Sequence, residues 1–173
     1  FFQAAQNAKK NQTRSVGGGE KASIAVKTAV HDVMLSGEFC NARRRIAHLL
    51  GMYGFVIFLV TTAILIFSYP TSATPAPATV TGLWHIGALM VCVGGYWFWF
   101  VIRVDVAAEG NAWYRIIRAD LFILALLATA TFALIWSYLQ MRGDGIWTTL
   151  ALVLFVISST TLFGTVLWSK FAH

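Results

Sequence analysis

The chain is poor in charge. Asp, Glu, Lys and Arg make up 12% of its 173 residues, where a soluble domain carries roughly 25%. The scarcity is uneven: none of the four occurs between Arg45 and Arg103, from Leu121 to Met141, or from Gly145 to Ser169. Proline is scarce as well, and all three copies fall in "PTSATPAPAT", Pro70 to Thr79. The two cysteines, Cys40 and Cys92, have no CxxC spacing, so they form no iron–sulfur or zinc signature, and a disulfide between them is not expected. No hydrolase, phosphate-loop or metalloprotease motif is present. Polar groups within the apolar runs are too few to line a charged transport path, which argues against a transporter or channel subunit.

What fills the chain is apolar: 58% of the residues are hydrophobic. A bilayer core takes about 20 apolar residues per helix. The first uncharged run holds two such helices, split by the proline cluster, since prolines so placed stop helices. Four transmembrane helices are therefore expected near 49–69, 83–102, 120–140 and 147–168, with Asp120 opening the third, where a carboxylate favours a helix N-terminus. Within lipid the backbone must satisfy itself, so helix is the form such segments take. The expected fold is all-α, an integral membrane four-helix bundle (residues 46–173) preceded by a cytoplasmic N-terminal linker and interfacial helix (residues 1–45).

Residues 1–23 are polar and contain Gly17 to Gly19. In residues 24–36, Val26, Val30, Val33 and Met34 recur at helical spacing, as in a short amphipathic helix on a membrane face or a partner. His31 on that segment reads as a solvated or interfacial polar residue. The opening "FFQAAQ" lacks the charged and apolar regions of a signal peptide; it starts without Met, as a fragment does. Four spans put both termini and the 103–119 loop on one side. That side holds twelve of the thirteen Lys and Arg residues, and Arg142 alone lies opposite. The positive-inside bias makes it the cytoplasmic side. The net charge of +6 is then a signal of topology and lipid headgroups rather than of nucleic acid. The seven tryptophans fall mostly near span ends and read as an aromatic belt.

Histidine is what remains for chemistry. His48 starts the first span and His173 follows the fourth, both on the cytoplasmic side, while His85 sits near the outer start of the second. Bis-histidine haem in a bundle takes one ligand from each of two facing helices at matching depth. His48 and His173 meet the depth condition, and first and last helices are neighbours in a closed bundle. Arg43, Arg44 and Arg45 stand where haem propionates would be paired. The same residues equally suit an amphipathic interface, which topology alone would place there. His85 has two readings, a hydrogen-bonded polar residue or one wall of a quinone pocket. Gly51, Gly54, Gly87, Gly94 and Gly95 let helices approach closely or clear room for a flat porphyrin; packing is the default.

"RRIAHLLGMYGF" (Arg44 to Phe55) resembles the start of the membrane domain in haem b subunits related to the nitrate reductase gamma subunit. Within that group it looks closest to the membrane subunit of the quinone-interacting membrane-bound oxidoreductase, which serves adenylylsulfate reductase and relatives of heterodisulfide reductase. The ending "LWSKFAH" (Leu167 to His173) is similar to the Ser-Lys-Phe-x-His ending of the last haem-bearing helix there. The resemblance covers roughly residues 30–173. It implies a b-type cytochrome passing electrons between membrane quinone and cytoplasmic iron–sulfur or flavin subunits, with His48 and His173 at ligand-type positions. Two departures narrow it. The relatives carry a second histidine at the outer end of the last helix, where this chain has Thr148, Thr149 and Leu150; at most one haem is then implied. Their cysteine-rich ferredoxin-like domain has no counterpart, so clusters would sit elsewhere, as in the small membrane anchor associated with adenylylsulfate reductase. The alternative is a haem-free anchor that docks a soluble oxidoreductase and forms part of a quinone site.

Overall fold

Helix starts before the apolar run does. The side chain of Asn41 accepts a hydrogen bond from the Arg43 backbone N–H at 2.9 Å, which satisfies one of the donors that a helix start leaves open. Ala42 and the three arginines are good helix formers, so the helix continues from there into the lipid-type sequence. Residues 18–29, 41–71, 73–102, 114, 116 and 120–165 are described by the computed structural model of the chain. Helices are α1 (Gly18–Ala29), α2 (Ala42–Ser68), α3 (Ala78–Trp97), α4 (Leu121–Arg142) and α5 (Gly145–Thr165). A π-helical turn, Phe98–Ile102, prolongs α3.

The chain divides into two units, Phe1–Glu38 and Phe39–His173. In the first, α1 exposes every side chain from Gly18 to Thr28. The second holds four helices long and apolar enough to cross a membrane, and it is the expected all-α membrane four-helix bundle. The spans match the sequence expectation except at their ends. Hydropathy marks the lipid-type core, whereas capping marks the helix. Arg43 to Arg45 and His48 are therefore inside α2 and not ahead of it. Pro77 takes the N-cap of α3, and Gly143, with φ 77°, closes α4 in the left-handed conformation that glycine adopts without cost. Asp120 is the N-cap of α4, but its side chain makes no capping hydrogen bond.

Packing follows chain order: α2 on α3, α3 on α4, α4 on α5. The close neighbourhood of first and last helices expected of a closed bundle is not found, because α2 and α5 meet at most marginally among the described residues. Each has given its one buried face to a sequence neighbour. Ala47, Gly54 and Phe58 of α2 lie against α3, and α5 buries only Ala151, Ser158 and Leu162. The flanking helices accordingly have 17% and 11% of their most apolar window buried, against 33% and 28% for α3 and α4. Exposed apolar side chains such as Val60, Phe67, Leu89, Val156 and Ile157 face lipid, the solvent in which such a surface is stable.

Candidate functional site

The α2–α3 contact is backbone against backbone. A Cβ built on Gly54 would lie 2.8 Å from the Val91 backbone nitrogen and 2.9 Å from the Gly87 carbonyl oxygen. One on Gly94 would lie 2.8 Å from the Ala47 carbonyl oxygen. Small residues permit this approach, and it leaves no gap for a porphyrin between these two helices. Gly95 is likewise covered by Leu127 of α4.

Above this contact an aromatic tier crosses the bundle with one ring from each helix. Phe58 of α2 is 5.3 Å from Trp84 of α3, Trp84 is 6.5 Å from Trp136 of α4, and Trp136 stacks on Phe155 of α5 at 6.2 Å and 4°. The Trp84 indole N–H donates to Thr62 Oγ1 at 3.0 Å, and Thr62 Oγ1 donates to the Phe58 carbonyl at 2.6 Å. Trp84 is 5% exposed and Trp99 8%. These two are core residues, which corrects their assignment to an interfacial belt. Both indoles fall near span ends in sequence, and only helix phase turns them inward. Trp147, 64% exposed, is placed as a belt residue would be; Trp113 and Trp168 are outside the described residues.

His85 lies beside this tier, its ring 5.0 Å from that of Trp84 and edge-on to it. Both ring nitrogens are engaged. Nδ1 is 2.6 Å from the Thr81 carbonyl oxygen and Nε2 is 2.8 Å from Ser137 Oγ on α4. The imidazole contact available to a quinone carbonyl is thus made within the bundle. A second polar contact joins α3 and α4 farther along, where Tyr96 Oη and Thr131 Oγ1 are 2.8 Å apart. Neither hydroxyl partner, Ser137 or Thr131, was singled out from the sequence. No spacing rule marks a serine that bonds across helices, although helix phase places His85, Cys92 and Tyr96 on one side of α3.

His48 is exposed on α2, one residue past the buried Ala47 and one turn past Arg44, which shares its side of the helix. Arg43 and Arg44 are exposed, and Arg45 is half-buried. His173, His31, Cys40 and the ending "LWSKFAH" lie outside the described residues, as does nearly all of the 103–119 loop. Of the two histidines expected to ligate haem, the described residues include only His48, on a helix that meets α5 at most marginally. Among them no group of three or more His, Cys, Asp or Glu side chains comes together as a metal site. At the start of α5, Thr149 Oγ1 donates to the Gly145 carbonyl, while Thr148 Oγ1 is buried with no hydrogen-bond partner among the described residues.

Searches against protein-family models, curated proteins and solved structures return no match to this chain.

Proposed function

We propose that the chain is the membrane anchor subunit of a respiratory or sulfur-metabolism redox complex in a bacterial or archaeal cytoplasmic membrane, with both termini in the cytoplasm. In this role it connects membrane quinone with a cytoplasmic iron–sulfur or flavoprotein subunit, through at most one haem b held by His48 and His173. The observation that carries the reading is the setting of His48. It sits near the start of a lipid-spanning helix, exposed, with Arg44 on the same side, on a helix whose close-packed face is already taken by α3. The close α2–α3 seam supports a cofactor on another side of α2 rather than between α2 and α3.

Haem b, when bound, supplies one-electron transfer. The chain's own part is to ligate through neutral imidazole, to pair propionates through Arg44 and Arg45, and to keep the site in an apolar surround. The likeness to the haem b subunits named above is part of this proposal and rests on the Arg44–Phe55 and Leu167–His173 stretches.

The test is a reduced-minus-oxidised absorption spectrum of the complex purified with its native partners, together with a haem count per chain. A b-type signal near one haem per chain is expected. No haem in a complex that still reduces or oxidises quinone overturns the cytochrome reading and selects the haem-free anchor.

A further inference from the structure

We infer that α1 is an amphipathic helix that docks on the anionic headgroup surface of a bilayer, with Ala22, Ala25, Val26 and Ala29 turned to the lipid. It is 12 residues long, and every residue from Gly18 to Thr28 is exposed. Isolated helices of about this length are marginal in water even when rich in alanine. Two glycines open α1, and Ile24, Val26 and Thr28 are β-branched, which weakens it further. Its helical form therefore asks for a surface that the described residues do not supply.

The sequence sets which side meets that surface. Ala22, Ala25, Val26 and Ala29 stand at i, i+3, i+4 and i+7, the spacing that lines one side of a helix. In the sequence the same spacing carries on at Val30 and Val33. Glu20, Ile24 and Lys27 fall on the opposite side of α1, and Lys21 falls nearer the border. Three alanines and a valine make a shallow stripe, so apolar burial alone does not hold it.

Charge supplies the rest and names the occupant. Residues 1–45 hold eight Lys and Arg against three Asp and Glu, a balance of +5. A basic segment beside a membrane span is drawn to anionic lipid. Long lysine stems let the ammonium groups stay among the headgroups while the apolar row enters. The tether keeps the two together. Residues 30–41 join α1 to α2, and at roughly 3.5 Å per residue that segment spans at most about 45 Å. α1 is thus held at high effective concentration near the bilayer that α2 enters.

The experiment uses the full chain with Cys40 and Cys92 replaced by alanine, in vesicles of phosphatidylcholine alone or with phosphatidylglycerol. A spin label at Val26→Cys is compared with one at Ile24→Cys, a pair that leaves the charge unchanged. The readout is the ratio of collisions with dissolved oxygen to collisions with a water-soluble nickel chelate. With phosphatidylglycerol at low salt, that ratio should be several-fold higher at Val26 than at Ile24. In phosphatidylcholine alone, at high salt, or in the Lys21→Gln, Lys27→Gln double variant, the two ratios should converge. Without any label, the amides of Ile24 to Thr28 should exchange more slowly with phosphatidylglycerol than without it. Equal ratios with phosphatidylglycerol, an Ile24 label deeper than the Val26 label, or a contrast indifferent to lipid charge and salt each overturns the inference. So does slow exchange found only in the complex purified with cytoplasmic proteins, which would give α1 a protein surface instead. None of these readouts depends on haem or quinone, so this inference and the proposed function stand or fall separately.

Discussion

Gly87 and Phe58 meet so closely that a Cβ on the glycine would stand 2.7 Å from the phenylalanine backbone nitrogen. With Gly54 and Gly94 on the same seam, that distance makes α2 and α3 a fixed pair. Without a hydrophobic force between helices in lipid, such close van der Waals packing is a main source of association. It also directs any planar cofactor away from this seam.

Gly87→Leu should separate α2 from α3, because backbone atoms rather than flexible side-chain ends stand in the way. Overpacking of this kind costs about 1–3 kcal/mol, read as a lower unfolding midpoint in detergent or bicelles. Gly82→Ala is the matched control. Its added Cβ meets nothing within 4 Å, and alanine in a helix interior should be neutral or stabilising by about 0.5–1 kcal/mol. Equal destabilisation by both would argue against the seam.

Trp84→Phe keeps a ring in the tier but removes the donor to Thr62. Interhelical hydrogen bonds within membranes average about 0.6 kcal/mol, and the smaller ring adds a cavity cost. The expected loss is about 1–2 kcal/mol in unfolding free energy. In Thr62→Val the hydroxyl is gone, so a double-mutant cycle with Trp84→Phe isolates the bond; a coupling near zero would show that the contact carries no stability.

His48→Ala and His173→Ala should each abolish haem without unfolding the bundle. His48 is exposed, one residue past the buried Ala47 of the α2–α3 seam. Haem content in the purified complex, read beside thermal melting, checks both. Full haem in the two variants would remove the ligand assignment while leaving the anchor role open.

The topology gives a separate expectation. In a chain with its native cysteines replaced by alanine, Thr71→Cys in the loop between α2 and α3 should react with a membrane-impermeant thiol reagent in intact cells. Arg43→Cys should react only after the cells are opened. The opposite pattern would invert the orientation drawn from the basic residues.

Much of the fold was legible because lipid imposes a simple rule: each uncharged run had to be a helix. The bounds were less legible, since Asn41 and Pro77 set helix starts by local capping that hydropathy does not register. The candidate site was legible only by residue type. Histidines and arginines could be placed by depth, but depth does not say which side of a helix faces which neighbour. Thus in the sequence His85 reads as a candidate pocket wall, because its Ser137 partner is 52 positions away. Trp84 reads as interfacial for the same reason, since its partner Thr62 lies on another helix.

The least buried helix of the bundle is α5, and it gives the sharpest mutational expectation. Its most apolar window is 11% buried, among the described residues it packs substantially only on α4, and its hydroxyls at Ser158 to Thr161 are turned back on its own carbonyls rather than across to a neighbour. What ties it sideways is Phe155, stacked on Trp136 and through it joined to the core around Trp84. Full burial would put Phe→Ala at 3–5 kcal/mol, and half-burial brings the expected loss to about 2 kcal/mol. Because α2, α3 and α4 keep their own contacts, the loss should be local. Hydrogen exchange in bilayers should rise in α5 while the amides of α2 and α3 around Gly54 and Gly87 stay protected. Uniform loss of protection over all four helices would mean that the tier, and not the glycine seam, holds the bundle together.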